Sequence, residues 1–510
     1  MRRTEAALVI ALGAVFCTAA TAQTPLSAID WLDEAPTVAA PRVTADPEAP
    51  NATGVSVPEV TVMALGDADH EAVGLLPPSV TGLPATLWAA SDADAILSLW
   101  LRAADDPLPA VQALYYTLLL AEAEPPGGAE GAFLKARVAA LMRLGAVEPA
   151  QALLTRAGPD TPELFTQWFD LSLLRGDEAA ACTRLMARRA LHPDQAAQIY
   201  CATLTGDWPT AALIYDTGAA LGIFSSTESY LLERFLDPEL AEESVELPPV
   251  QDPSPLIFQL YEAIGTPLPT RGLPLSFAVA DLRGNAGWKA ELEAAERLVR
   301  TGALSENRLL GLYTDRDPAA SGGVWDRVEA VQEFDRALTR QDADAIARTL
   351  PPVWRMMSDA HLEISFARLF AEGLVRAAPR LDPATQALAF RITLLGEDYE
   401  AAAKSPSPRR AARFLASVAM GAPDPVLATS PEERMITRVF TAAPSPSAEH
   451  ARLLSDGKLG EAILAAAIQL DGAGGDLTQT AEALSTLRAV GLEDTARRAA
   501  LQLLILDQRG

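Results

Sequence analysis

The chain of 510 residues lacks the short motifs that mark the common classes of enzyme. It has no G-x-S-x-G, C-x-x-C or Walker sequence, and its four histidines show no H-x3-H spacing. These absences argue against serine-hydrolase, thiol-redox, nucleotide and zinc chemistry. The sequence therefore assigns no catalytic, cofactor-binding or metal-binding residue, and we expect a protein that is not an enzyme and carries no cofactor.

Two partial matches to enzyme motifs remain. Ser455 and Lys458 match S-x-x-K of penicillin-binding enzymes, but the two companion motifs are missing. Glu228-Ser229 resembles the Glu-Ser pair of lytic transglycosylases without the sequences that should come after it. We expect a repeat turn at the first match and a solvated helix start at the second.

Positive charge and aromatic side chains are also scarce. The chain has 41 Lys and Arg against 67 Asp and Glu, a net charge of −26, and only 6% aromatic residues. Such a surface repels nucleic acids and anionic lipids. We therefore expect no nucleic-acid partner, and the excess charge is most simply explained by solubility.

The N-terminus has the pattern of a secretory signal. Arg2 and Arg3 precede the apolar stretch 6–16, and Ala20-Thr21-Ala22 supplies a small-x-small cleavage pattern. Lipidation at Cys17 and retention as a membrane anchor are the alternatives, although Phe16 is a poor neighbour for a lipidated cysteine. We expect cleavage after Ala22, export to the periplasm, and no integral membrane segment thereafter, because no later run of 18 apolar residues occurs.

What the chain does have is alanine and helical periodicity. From about residue 87 apolar positions follow the helical stripe, as at Leu492, Ala496, Ala499 and Leu503. Helix starts are predicted where a capping residue precedes proline or an acidic first turn. These predicted N-caps are Thr161, Asp382 and Ser430.

A turn consisting of Gly followed five residues later by Ala recurs along the chain. Gly would end one helix in a left-handed C-cap, and the small Ala would allow the next helix to cross closely. Arg340-Gln341-Asp342 is a possible copy without the Gly. The pairs are Gly145 and Ala150, Gly176 and Ala181, Gly206 and Ala211, Gly396 and Ala401, Gly457 and Ala462, and Gly491 and Ala496.

These turns resemble the one between the two helices of a tetratricopeptide repeat. The resemblance implies an all-α fold, an α-solenoid of antiparallel helical hairpins in units of about 30–34 residues. Divergent helical repeats of the same layout are the alternative. Exposed aromatic residues in such a fold would be candidates for binding a peptide, whereas buried ones would form the core between repeats. The aromatic residues concerned are Trp168, Phe169, Trp208, Trp325 and Trp354.

Cys182 and Cys201 are predicted to form a disulfide. They lie equally far from a turn at 191–193, so that two antiparallel helices place them at the same height. An oxidising compartment favours the bridge, and two buried free thiols are the alternative.

Proline divides the chain into segments. We expect a signal peptide at 1–22, a disordered Pro- and Ala-rich tether at 23–86, helical repeats at 87–240, a Pro-rich connection at 241–275 and helical repeats at 276–510. Within the tether, the stretches 29–32 and 73–87 carry enough apolar residues to dock on the folded part.

Residues 72–84 and 261–269 are similar to stretches of uncharacterised exported proteins of alphaproteobacteria. Some of those proteins carry the label antifreeze glycopeptide polyprotein, which implies regular Ala-Ala-Thr tracts that this chain does not have. The resemblance implies export and no particular mechanism.

The leading functional hypothesis is a non-enzymatic periplasmic scaffold that binds a protein or peptide of the cell envelope. The second is a peptidoglycan-acting envelope enzyme whose carboxylates converge only in the folded protein. Ice binding is a remote third.

Overall fold

A computed structural model describes residues 70–241, 250–405 and 408–506. The predicted signal peptide, the stretch 29–32 and most of the tether lie outside these residues. All of the described residues belong to one compact unit. In the described part of it the fold is all-α, with 25 α-helices, four short 3-10 helices and no strand beyond two isolated β-bridges.

The helices are labelled in chain order. The α-helices are α1 (Pro78–Thr81), α2 (Ala93–Arg102), α3 (Pro109–Leu120), α4 (Ala132–Arg143), α5 (Val147–Ala157), α6 (Pro162–Arg175), α7 (Ala179–Ala187), α8 (Gln195–Leu204), α9 (Trp208–Ala220), α10 (Ser226–Leu236), α11 (Pro238–Ala241), α12 (Pro255–Ala263), α13 (Trp288–Arg300), α14 (Glu306–Thr314), α15 (Val324–Thr339), α16 (Ala343–Asp359), α17 (Glu363–Ala377), α18 (Pro383–Thr393), α19 (Tyr399–Ala403), α20 (Arg410–Ala419), α21 (Pro431–Thr441), α22 (Ala448–Ser455), α23 (Leu459–Asp471), α24 (Leu477–Ala489) and α25 (Glu493–Ile505). The 3-10 helices are η1 (Arg189–Leu191), η2 (Thr270–Gly272), η3 (Leu275–Arg283) and η4 (Ala378–Arg380).

The three predicted N-caps are confirmed. Thr161 accepts a hydrogen bond from the Leu164 N–H, Asp382 caps α18, and Ser430 forms a full capping box at the start of α21. Each cap satisfies amide groups that the first turn of a helix leaves without an intrahelical partner.

Most helices are joined as hairpins by one kind of turn. A residue with positive φ ends the first helix. The backbone N–H of the residue after it donates to the carbonyl oxygen five residues earlier, as the Asp177 N–H donates to the Ser172 carbonyl. Five of the six predicted glycines have this geometry, and the alanines that follow them are fully buried. Those five glycines are Gly145, Gly176, Gly206, Gly457 and Gly491.

The turn also forms without glycine. Gln341 has φ +52° and His361 φ +55°, and the N–H groups of Asp342 and Leu362 bond back to Ala337 and Met357. A left-handed conformation in a residue with a Cβ is strained, so packing of the flanking helices must sustain both turns.

The pair Gly396 and Ala401 departs from the expected geometry. Gly396 is buried without a positive φ, its N–H bonds to the Thr393 carbonyl only three residues back, and Ala401 is exposed. The short helix α19 instead packs through Tyr399 and Ala403, both buried. Here the glycine is explained by close packing, because an added Cβ would lie 2.9 Å from the Cβ of Ala371.

Residues 70–86 pack on the helices that come after them. The Leu75 and Leu76 N–H groups donate to the Leu120 carbonyl, and Gly74 lies so close to the backbone of Glu122 that a Cβ would stand 2.2 Å from its nitrogen. Arg137, fully buried, donates to the carbonyl oxygens of residues 73, 119 and 121. The described part of the predicted tether is thus fixed by backbone contacts as well as by apolar docking.

The predicted Pro-rich connection 241–275 also contains packed structure. Within it, α12 starts at the N-cap Ser254, packs against α6 and α10, and is followed by η2. Proline at the first position of α12 is compatible with a helix because that position needs no N–H donor.

Helices α2 and α3, near the start of the described residues, are in contact with helices near their end. α3 packs on both α23 and α25, and α2 packs on α23. Asp471 and Gln502 accept the N–H groups of Leu108 and Ala110 at the start of α3. In an open solenoid each repeat contacts only its neighbours, so these hairpins are assembled differently. We call α2, α3, α23 and α25 the closure region.

Candidate functional site

The described helices enclose a large core, a smaller one, and a third cluster of only three buried residues, Ala278, Ala294 and Leu298. The smaller core lies between α6, α7, α8, α10 and α12, and its centre holds Phe165 and Phe169. The ring of His192 packs edge-on against Phe169 with the ring centres 5.2 Å apart, and burial lowers the pKa of this histidine.

The predicted disulfide between Cys182 and Cys201 is present in this smaller core. It joins α7 to α8, and the two Cα atoms are 4.8 Å apart. Both cysteines are fully buried, and they flank the turn that contains η1 and His192, as the spacing predicted. A disulfide is most useful where a core is small, because little apolar burial is available to stabilise the fold.

Helix α9 lies at the edge of the smaller core. Its principal contacts are with its neighbours in sequence, α8 and α10, and only Ala211 and Gly218 on it are buried. Gly218 lets the ring of Phe224 approach so closely that a Cβ would be 2.5 Å from it. Small residues thus fix the inner side of α9, where Ile214 and Tyr215 also pack partly buried against the core, and Leu213 lies on the outer side.

The outer side of α9 is apolar. Leu213, on the side opposite to Ala211, is 67% exposed, and Trp208 at the first position is 47% exposed. Of the ten large apolar side chains exposed in the described residues, five lie between positions 204 and 223. We call their surface the α9 face. Its residues are Leu204, Trp208, Leu213, Leu221 and Ile223.

The charge around the α9 face has one sign. Between Leu204 and Ile223 the only charged residues are Asp207 and Asp216, and none is basic. On α10 the carboxylate of Glu233 accepts a hydrogen bond from the hydroxyl of Tyr215, which packs on the core side of α9. An exposed apolar surface bordered by carboxylates favours a partner with apolar side chains next to positive charges.

Of the aromatic residues considered from the sequence, only Trp208 belongs to the α9 face. Phe169 is fully buried, whereas Trp168, Trp325 and Trp354 are partly buried against the cores. The four aliphatic residues of the face were not predicted. The sequence carries one signal for them, because α9 is apolar on most of its sides and a helix of this kind is normally buried. In the structure the outer side of α9 is exposed instead.

A cavity of about 240 Å³ adjoins the closure region. Its apolar wall includes Met435, Ile436 and Leu503, and the carboxylates of Asp106, Glu432 and Asp471 also line it. Hydrogen bonds from the first turn of α21 lower the pKa of Glu432. We call this space the closure cavity.

The residues of the partial enzyme motifs have structural contacts. Lys458 pairs with Asp92 and Glu461, each at 3.5 Å, and Ser455 donates to the Arg452 carbonyl. Glu228 accepts the Ser225 N–H in a capping box at the start of α10.

The described residues contain neither a metal site nor a membrane span. In this part of the chain no three His, Cys, Asp or Glu side chains are grouped so as to hold a metal ion. Across the same residues, no helix combines the length and the apolar character needed to cross a bilayer.

Comparison with known proteins identifies no relative. No protein-family model matches the chain, and neither a curated protein nor a solved structure does so.

Proposed function

We propose that this protein is a non-enzymatic scaffold of the periplasm that binds a protein or peptide of the cell envelope at the α9 face. The proposal rests on one observation: half of the exposed large apolar side chains of the described residues lie on α9 or directly beside it in sequence. Isolated exposed apolar residues are ordinary, whereas a cluster indicates a contact surface. The hairpins would derive from a divergent tetratricopeptide-like repeat that presents this edge.

The compartment in the proposal has two supports. The disulfide between Cys182 and Cys201 indicates an oxidising environment. The signal-like pattern of residues 1–22 provides the route to it.

We propose that the α9 face binds a segment of another protein in which apolar side chains are flanked by Lys or Arg residues. Charge complementarity supports this choice, since the charged residues between positions 204 and 223 are Asp207 and Asp216 and none is basic. A second copy of the chain is disfavoured, because each copy carries a net charge of −26 and would bring the same acidic border.

The test uses fluorescein-labelled amphipathic peptides with Leu on one face and Lys, or Glu, on the other. We expect the Lys peptide to bind and the Glu peptide to bind at least about tenfold more weakly, which corresponds to about 1.4 kcal/mol. A Lys peptide with Ser in place of Leu should also bind weakly, which separates anchoring from general attraction to an acidic protein.

The matched variants are Leu213→Lys on the α9 face and Leu101→Lys at an isolated exposed leucine on α2. We expect the first to weaken peptide binding about tenfold and the second to leave it unchanged. Equal effects of the two variants would refute the site. A dimer in sedimentation that Leu213→Lys dissociates would assign the face to self-association instead.

A further inference from the structure

A cavity of about 360 Å³ lies between α17, α18 and the short helix α19, and the proposed function does not depend on it. Its wall includes Leu374 and Val375 on α17, Phe390 on α18 and Ala401 on α19. We call this space the α17–α18 cavity. We propose that it binds an amphiphilic anion, that is, an alkyl chain that carries a carboxylate or a similar head group.

The cavity lies where the repeating hairpin is interrupted. After the five turns that contain a left-handed glycine, the next helix has 9 to 13 residues, whereas α19, which follows Gly396, has five. The difference of four to eight residues corresponds to about 6–12 Å of helix. The groove between α17 and α18 is therefore left without a full-length helix over it, and Ala401 is exposed.

The wall of the cavity is apolar. Leu374 and Phe390 are buried, and Val375 is 50% exposed, so an apolar surface continues from the interior to the mouth. None of the residues that line the cavity is charged. The side chains of Gln386 and Thr393 in the wall already donate to backbone carbonyl groups. An alkyl chain would displace water from this surface, and the volume lies within the usual range of small-molecule sites.

The charged residues next to the wall are almost all basic. Six charged residues directly adjoin a wall residue in sequence, and five of them are Lys or Arg, although the whole chain has 41 basic and 67 acidic residues. The one acid, Glu400, is paired with Arg497. The basic residues are Arg376, Arg380, Arg391, Lys404 and Arg409.

Lys404 is the basic residue that remains for a ligand. It is exposed, it lies between the wall residues Ala402 and Ser405, and it makes no ion pair or hydrogen bond with the described residues. The other four basic residues have partners within the protein. The long flexible stem of a lysine allows its ammonium group to reach a head group at the mouth.

The combination selects the charge and the shape of the ligand. An alkylammonium ion would be repelled by Lys404, and a hydrated metal ion would gain nothing from the apolar wall. An alkyl carboxylate satisfies both parts, with its chain against Phe390 and its head group next to Lys404. Because Lys404 is exposed, the carboxylate stays partly hydrated, which avoids the cost of burying it fully.

The experiment compares three probes of equal chain length, octanoate, octanol and octylammonium, by calorimetry on the full chain. We expect octanoate to bind at least about tenfold more tightly than octylammonium, with octanol between them. A net charge of −26 attracts cations in general, so this order cannot come from the overall charge. Equal binding of all three, or tighter binding of octylammonium, would overturn the proposal.

The variants locate the binding. Lys404→Glu should weaken octanoate about threefold to tenfold while octanol is unaffected. Lys289→Glu, at an exposed lysine on α13, changes the net charge equally and is the matched control. Ala401→Trp should fill the mouth and abolish binding of octanoate and octanol, whereas Ala180→Trp, at an exposed alanine on α7, should not. If Ala401→Trp does not fold, the two lysine variants decide the proposal.

Two results would overturn the assignment to a free amphiphile at this cavity. Equal losses of octanoate affinity in Lys289→Glu and Lys404→Glu would mean that only the overall charge matters. The second result concerns vesicles of phosphatidylglycerol, which should not bind this acidic chain. Cosedimentation with these vesicles, but not with phosphatidylcholine vesicles, that Lys404→Glu abolishes would assign the site to a lipid of a bilayer instead.

Discussion

The two cores of this protein are stabilised in different ways. The large core joins helices from near both ends of the described residues and is stabilised by polar contacts to backbone groups, such as those of Arg137 and Asp471. The small core contains mainly residues close in sequence, is linked by the only disulfide of the described residues, and leaves α9 open at its edge. A helical hairpin that is covered on both sides therefore serves only as part of a core. A hairpin with one uncovered side, as at α9, exposes a surface to which a partner can bind.

The largest effect is expected at Arg137 in the large core. Arg137→Met removes four hydrogen bonds to backbone carbonyl groups and leaves the buried carboxylate of Glu71 without this positive charge. We expect a loss of about 3–5 kcal/mol in the free energy of unfolding, measured by urea denaturation. Arg156→Met, which breaks an exposed pair with Glu122, should cost less than about 1 kcal/mol. Similar losses in the two variants would show that the buried contacts are not what fixes residues 70–76.

The disulfide is the corresponding element of the small core. Replacing Cys182 and Cys201 by Ala should cost about 3 kcal/mol, because the unfolded chain regains the entropy of the closed loop. Hydrogen exchange should show faster opening of α7, α8 and α9 and unchanged protection of α23 and α25. Uniform loss of protection would mean that the two cores unfold as one and that the distinction between them has no energetic meaning.

A glycine in α23 tests the closure region. A Cβ on Gly460 would lie 2.5 Å from the ring of Trp88 and 2.8 Å from the Leu87 carbonyl oxygen, so Gly460→Ala should cost about 1–3 kcal/mol. Gly311→Ala, in the exposed middle of α14 with nothing within 4 Å, should instead stabilise by about 0.5–1 kcal/mol. Thermal unfolding of both variants measures the difference. Equal and small changes would argue against tight contact between the chain ends.

The small core should also respond to pH through Asp170. Desolvation, aided by the charge of Asp194, raises the pKa of this carboxyl to about 7. The folded protein then keeps a proton that the unfolded chain releases near pH 3.8, so this contribution to stability is lost as pH rises towards 7. We expect a fall of roughly 1–2 kcal/mol between pH 4 and 7 that Asp170→Asn removes, with Asp216→Asn as the exposed control. A pH profile of Asp170→Asn identical to that of the parent would contradict this.

How far the sequence predicts this structure depends on the range of the interaction. The caps at Thr161, Asp382 and Ser430 and the bridge between Cys182 and Cys201 depend on residues close together in the chain, and each is present. The contact of α3 with α25 has no local signal, because residues almost 400 positions apart meet there.

The candidate site shows the same limit. Trp208 could be named from the sequence as an aromatic residue next to a turn, but its exposure depends on which helix covers α9. An apolar helix such as α9 is expected to be buried. Only the arrangement of α8, α10 and α12 around the small core reveals that its outer side is left uncovered.

Photo-crosslinking in living cells tests the α9 face most directly. A photoreactive amino acid is placed at position 213, on the α9 face, or at position 101, which is at least as exposed but isolated. We predict a discrete crosslinked protein from position 213, none from position 101, and loss of the crosslink when the Lys peptide is added to spheroplasts. The proposal that a partner binds at this edge helix would be contradicted if both positions gave the same crosslinked products. It would also be contradicted if position 213 gave no crosslinked product.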